Sequence, residues 1–220
     1  MGVNVEKYKE ISTGLLQQGV TLVAVSKIKP NADIQALYDL GQRDFGENYV
    51  QELVEKQAAL PKDIRWHYIG HLQTNKVKYI APFVHLIQGV DSLKLLKEIN
   101  KQGAKCNRVI NCLLQVHIAQ EETKFGMDAT ELEEVKNNIS GLANVRIEGL
   151  MGMGSFSDDL SKVRMEFRNL KVLFDSFRLW TMDHGPWTIL SMGMSGDYAL
   201  AIEEGSTMVR IGSLLFGARV

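Results

Sequence analysis

Thr21-Leu22-Val23-Ala24-Val25-Ser26, closed by Lys27, carries four apolar residues in a row with no polar alternate. A strand with one wet face alternates, whereas an unbroken apolar run fits a strand covered on both sides, as in a parallel sheet. Leu113-Leu114-Gln115-Val116 has nearly the same character. Working outward from the first run, β-rich segments cover 21–26, 43–47, 65–69, 85–90, 109–116, 145–151, 188–192 and 207–211.

Helical patterns fill the gaps. Leu160, Val163, Phe167, Leu170, Phe174 and Phe177 recur at steps of three and four, the apolar stripe of a long surface helix. Leu132, Val135 and Ile139 follow Asp128-Ala129-Thr130-Glu131, which has the form of a capping box. Val5, Tyr8, Ile11 and Leu15 mark an additional helix ahead of the first strand. Strand and helix alternate with no long structureless gap, which argues for an α/β protein with a parallel sheet. Eight strands favour closure into a (β/α)8 TIM barrel over an open doubly wound sheet. Such barrels use about 250 residues and seldom fewer than about 200. A chain of 220 residues is therefore expected to be one compact barrel, a single domain over residues 1–220.

Composition excludes several functional classes. The formal net charge is −1, without the basic footprint of a nucleic-acid binder. No apolar run is long enough to span a bilayer. The first ten residues, Met1 to Glu10, are polar and helix-like, with none of the layout of a secretory signal. Two cysteines, Cys106 and Cys112, read as buried thiols of a reducing compartment rather than a disulfide. A cytoplasmic protein is expected, with neither nucleic acid nor membrane as a partner.

In this fold the active site lies at the carboxyl ends of the strands. Those ends deliver Ser26-Lys27, Glu47-Asn48, Gly70-His71, Gly152-Met153-Gly154, the loop Ser191 to Asp197, and Arg210-Ile211-Gly212-Ser213. Lys27 follows a buried strand, where desolvation lowers an amine pKa and favours a Schiff-base nucleophile. From position alone, a rim lysine snorkelling into water fits equally well. Ser195-Gly196-Asp197 and Gly212-Ser213 can each open a helix, so the last two strand ends fit a phosphate cup. Plain turn glycines and N-caps are the alternative. Arg210, near the inner end of an apolar strand, needs a partner. A barrel carboxylate such as Glu47 or Glu148 is the ordinary expectation.

Five ordered blocks sharpen this reading. They are Ala24-Val-Ser-Lys-Ile-Lys-Pro30, Phe45-Gly-Glu-Asn-Tyr-Val-Gln-Glu52, Trp66-His-Tyr-Ile-Gly-His-Leu-Gln-Thr-Asn-Lys76, Leu190-Ser-Met-Gly-Met-Ser-Gly-Asp197 and Val209-Arg-Ile-Gly-Ser-Leu-Leu-Phe-Gly217. Together they resemble the pyridoxal phosphate homeostasis proteins, stand-alone relatives of the alanine racemase N-terminal barrel. The resemblance implies an alanine racemase N-terminal domain-like fold and pyridoxal 5'-phosphate held as a covalent aldimine on Lys27. It implies Arg210 facing the pyridine nitrogen, and Ser191, Ser195, Gly212 and Ser213 around the phosphate. Asn48 matches a family position lining the cofactor.

The chain also departs from that pattern. Relatives usually have asparagine near the end of strand five, where this chain has His117, expected to be a satisfied core residue. Many relatives carry a Pro-containing loop where this chain has Met151-Gly-Met-Gly-Ser-Phe156. Met192 and Met194 are expected in packing or in the cofactor wall, and Cys112 in the core. His71 and Lys76 are expected to serve the start of the helix after strand three. Lys124 reads as a solvated loop lysine, with a second landing site for the aldehyde as the alternative.

The group facing the ring nitrogen decides the chemistry of this cofactor. A carboxylate keeps that nitrogen protonated and makes the ring an electron sink. Arg210 disfavours protonation, by like charge and because arginine only donates. Racemases related to the family add a tyrosine from a C-terminal β domain of a partner subunit. The sequence ends at Val220, directly after its eighth strand, so no such domain is expected here. The expectation is a carrier in intracellular pyridoxal phosphate homeostasis, without robust catalysis of its own, a monomer or weak dimer that passes the cofactor to apo-enzymes. The alternatives are an amino-acid racemase using an unrecognised base such as His117 or Tyr68, and an aldolase using Lys27 on a sugar phosphate.

Overall fold

The computed structural model describes residues 2–119, 125–180 and 187–217, and closes eight parallel strands into a barrel in sequential order. The strands are β1 (Thr21–Val25), β2 (Asp44–Glu47), β3 (Arg65–Tyr68) and β4 (Leu86–Val90). They continue with β5 (Ile110–Val116), β6 (Val145–Gly152), β7 (Ile189–Ser191) and β8 (Met208–Ile211). Every expected strand is present, and no end moves by more than one residue. Closure rests on the pairing of β1 with β8, where Val23 lies beside Arg210 and Ala24 beside Ile211.

Helices cover the outside. They are α1 (Val5–Gln17), α2 (Asn31–Asp39), α3 (Val50–Ala59), α4 (Val77–Ile80) and α5 (Leu93–Lys105). After them come α6 (Ala129–Asn138), α7 (Leu160–Trp180), α8 (Tyr198–Glu203) and α9 (Ser213–Phe216). The capping box of α6 is formed as expected, with Asp128 accepting from the Glu131 amide and Glu131 accepting from the Asp128 amide. Along α7, Val163, Phe167, Leu170, Phe174 and Phe177 are all buried, whereas Leu160, the first helical residue, is exposed.

Successive residues of a barrel strand point alternately inward and outward. Outward residues such as Ala24, Phe45, Trp66 and Ile87 join the helices in one continuous apolar layer. Inward residues Val23, Leu86, Leu113, Met151 and Met208 form a small separate cluster. The rest of the interior is unusually polar: Asp44, His67, Gln88, Ser191 and Arg210 are all buried. Cys112 is buried, Cys106 half-buried, and both are free thiols. Among the described residues, no helix is long and apolar enough to cross a membrane.

Candidate functional site

A pocket of about 580 Å³ opens at the carboxyl end of the barrel. Lys27, Asn48, Ser195, Arg210, Gly212 and Ser213 line it together, and Val25, Ile69, Met153, Phe156, Met194 and Leu214 supply apolar wall. Sequence reading had brought these polar residues to one mouth from four different strand ends. Both methionines fall within the expectation of packing or wall: Met194 lines the pocket, and Met192 is fully buried in the outer layer.

Lys27 reaches the pocket through strand parity and a turn. Val23 and Val25 face inward, so Lys27 does too. The chain then reverses, with the Lys29 amide donating to the Ser26 carbonyl at 3.0 Å and Ile28 at φ 62°. A β-branched residue rarely takes that left-handed conformation. What holds it is a side-chain cluster that sequence reading missed. The Ile28 amide donates to Glu52 Oε1 at 2.6 Å, and Lys56 Nζ donates to the same oxygen at 2.6 Å. Lys56 Nζ also donates to the Ser26 carbonyl and to Glu47 Oε1, each at 2.8 Å. The Ser26 hydroxyl donates to that Glu47 oxygen at 2.6 Å. Both neighbours of Lys27 are thereby tied to α3. Burial pushes the Glu47 carboxyl upward, while Lys56 and Ser26 oppose the shift. Glu52 and Lys56 stand four apart and read as an ordinary surface pair of a helix, which is why the sequence did not expose their role.

The expected carboxylate partner of Arg210 is not what the structure contains. Glu47 faces α3, and Glu148 does not bond Arg210. Instead, Arg210 Nη1 donates to Ser191 Oγ at 2.6 Å and Nη2 to the Gly152 carbonyl at 3.0 Å. Burial brings the guanidinium down to about 10, with Asp197 opposing, so it stays charged at neutral pH. Ser191 is fully buried and does not line the pocket. It sits behind Arg210, because its register opposite Met208, the first residue of β8, sets it below the mouth.

The last two strand ends build the corner opposite Lys27. Ser195 Oγ accepts the Gly212 amide at 3.3 Å, tying the loop after β7 to the start of α9. Amides in the first turn of a helix lack partners within it and favour an anion. A Cβ on Gly212 would meet the Val25 carbonyl at 3.1 Å, a tight contact that glycine avoids where β8 runs into α9 beside β1. Asn48 supplies a sharper signal. Its Oδ1 is buried at the pocket wall with no hydrogen-bond partner among the described residues. A buried acceptor left unpaired costs about 1–3 kcal/mol, which a donor on a bound molecule would recover.

Other candidates fall away from the pocket. Tyr68 is buried and donates to the Asn48 and His71 carbonyls at 2.9 and 3.1 Å. Burial pushes its hydroxyl up to about 12, so it is committed to structure rather than poised as a base. His71 does not serve a helix start. It pairs with Asp91 at 2.7 Å and stacks on Phe125 at 4.1 Å, joining three loops of the rim. Lys76 lies over the Tyr79 ring at 5.8 Å. His117 sits half-buried outside the pocket lining. Lys124 lies outside the described residues.

Residues 4–220 match the family described as alanine racemase, N-terminal domain. That match fixes the class: a barrel of the alanine racemase N-terminal type. A pyridoxal phosphate homeostasis protein of Pasteurella multocida is 41% identical over 206 residues, covering 92% of this chain and 88% of its own. PipY of Synechococcus elongatus PCC7942, solved without pyridoxal phosphate, superposes with a TM-score of 0.90 at 34% identity, covering 96% of this chain and 99% of PipY. Its form with pyridoxal phosphate bound gives 0.86 at 33% identity, covering 96% and 100%. The chain belongs to the pyridoxal phosphate homeostasis protein family.

Proposed function

We propose that this chain binds pyridoxal 5'-phosphate in the Lys27 pocket, with Lys27 Nζ as the covalent attachment point, and carries it reversibly rather than turning over a substrate. The observation that carries the reading is the orphaned Asn48 Oδ1, a buried acceptor in the wall of a pocket that also contains an amine and a guanidinium. The group fits the residues present. Ser195, Gly212 and Ser213 would hold its phosphate, Asn48 a ring substituent, and Arg210 the ring nitrogen. When bound, the cofactor supplies an aldehyde for amine capture and a ring able to withdraw electrons. Arg210 limits the second property, because a charged donor beside the nitrogen disfavours its protonation.

The carrier reading draws on the titratable groups of the pocket. Lys29 Nζ donates to the Phe216 carbonyl at 2.9 Å, and Asp197 Oδ1 accepts the Met194 amide at 2.5 Å. Both are engaged in holding backbone, and Lys27, Asn48, Ser195, Arg210 and Ser213 are further polar groups of the pocket wall that a ligand would meet. We extend the reading to residues 1–220 as one functional unit in the cytoplasm, a monomer or weak dimer, with apo-enzymes as acceptors.

The test is borohydride reduction of the loaded protein followed by peptide mapping. The label is expected on Lys27 and absent in Lys27→Ala; a full label in that variant would reject the assignment. Incubation with single amino acids in deuterated water, with chiral analysis, examines the carrier half. No inversion above a free-cofactor control is expected, and racemisation that depends on Lys27 would overturn it.

A further inference from the structure

Below the pocket, the polar residues of the interior join into one chain. Arg210 Nη1 bonds Ser191 Oγ at 2.6 Å, and Ser191 Oγ bonds Gln88 Oε1 at 2.7 Å. Gln88 Nε2 lies 3.0 Å from His67 Nδ1, and His67 Nε2 lies 2.9 Å from Asp44 Oδ1. At the far end Arg65 clamps Asp44 with bonds of 2.8 and 2.5 Å. The chain runs from the carboxyl end of β8 to the first residue of β2, and so from one mouth of the barrel to the other.

Its direction is fixed at both ends. Arginine only donates, so Ser191 Oγ must accept and its own proton goes to Gln88 Oε1. Gln88 Nε2 also sits 3.2 Å from Met208 Sδ, a pure acceptor, which orients the amide with its NH₂ toward the sulfur and His67. His67 Nδ1 then receives a hydrogen bond, and the ring proton belongs on Nε2, facing Asp44. Every link points the same way, from the buried cation toward a buried carboxylate. Chains with aligned donors polarise one another in a low dielectric.

We infer that Gln88, His67 and Asp44 are positioning residues for Arg210: they anchor its guanidinium through Ser191 by a chain that ends on the Asp44–Arg65 pair. Among the described residues Arg210 has no carboxylate in hydrogen-bond contact, yet it is held by Ser191 and Gly152 in the wall of the pocket. The effect on a ligand rests on the cofactor reading above; the chain itself does not.

The experiment therefore starts with the ligand-free protein. Nitrogen NMR should find His67 as the Nε2–H tautomer, and a proton on Nδ1 would refute the stated direction. Exchange of the Arg210 guanidinium protons should speed by about tenfold in His67→Leu, the equivalent of one hydrogen bond, and return toward wild type in His67→Gln. Glutamine keeps a donor toward Asp44 and an acceptor toward Gln88. Equal exchange in the two variants would overturn the inference. Should His67→Leu fail to fold, Gln88→Met breaks the same chain with similar volume, and unchanged exchange there is equally fatal. Pyridoxal phosphate is then added. Its absorption maximum and affinity should follow the same order, with His67→Leu weaker by about tenfold. If exchange follows that order while neither the wild type nor Arg210→Lys binds pyridoxal phosphate, the cofactor reading fails and the positioning chain stands.

Discussion

Ile28 and Gly193 sit at the same mouth of the barrel, both with positive φ, at 62° and 95°. They should respond to substitution with opposite signs. The Ile28 side chain is mostly exposed, so it gains little burial for its conformational strain. Left-handed backbone costs an L-residue about 1–2 kcal/mol, whereas a glycine loses about 0.5–1 kcal/mol through unfolded-state entropy. Ile28→Gly should therefore leave stability unchanged or raise it by up to about 1 kcal/mol in urea titration. Gly193 is different, because a Cβ there would lie 2.6 Å from the Cβ of Ala201. Gly193→Ala should lose about 1–3 kcal/mol and loosen the loop that presents Ser195. A stabilising Gly193→Ala would show that the close approach to α8 does not exist.

At the scale of the element, α3 is more than cover for the barrel. It sends Lys56 against the fully buried Glu47, and Glu52 against the turn of Lys27. Removing one member of a buried pair strands the other, at a cost of about 3–5 kcal/mol. Lys56→Met should lose stability on that scale, and Lys56→Met with Glu47→Leu should recover much of it. Urea unfolding of the two variants checks this, and equal losses would mean that the pair is not coupled. The same element marks where sequence reading stops. The strands were legible because burial on both faces leaves continuous apolar runs, and α6 and α7 were legible through their caps and stripes. The mouth was legible because strand ends fall where the fold requires them. Glu52 and Lys56 were not, since spacing along a helix does not reveal which face it turns to a strand. Nor were Gln88 and His67, because their partners lie on strands far away in sequence. The depth of Ser191 was hidden for a related reason: it is set by its register opposite Met208 of β8, which spacing along the chain does not show.

For the whole molecule, acid and base pull on different carboxyl groups. Burial alone would raise Asp44, but its bonds to Arg65 and His67 hold it well below the ordinary range. Its contribution is present above the unfolded value of about 3.9 and disappears as pH falls through the lower folded value. Glu47 and Glu148 are raised by burial, so folding makes their charged forms less favourable than they are in the unfolded chain. Their contribution is complete below the unfolded value of about 4.3 and declines as pH rises through their raised values. Unfolding free energy measured from acid to neutral pH should thus fall at the acid end less steeply in Asp44→Asn. The loss on the other side should shrink in Glu148→Gln. An unaltered acid limb in Asp44→Asn would mean that its carboxylate is not the group responsible. One further consequence belongs to Lys56. Its ammonium nitrogen is met by Ser26, Glu47 and Glu52, three acceptors for three N–H bonds. It lies directly behind the turn of Lys27, and its three bonds leave it no N–H to donate elsewhere. Lys56 thereby acts as a three-way tie that joins α3 to the end of β1 and to β2, a structural rivet behind the pocket rather than a group turned toward it.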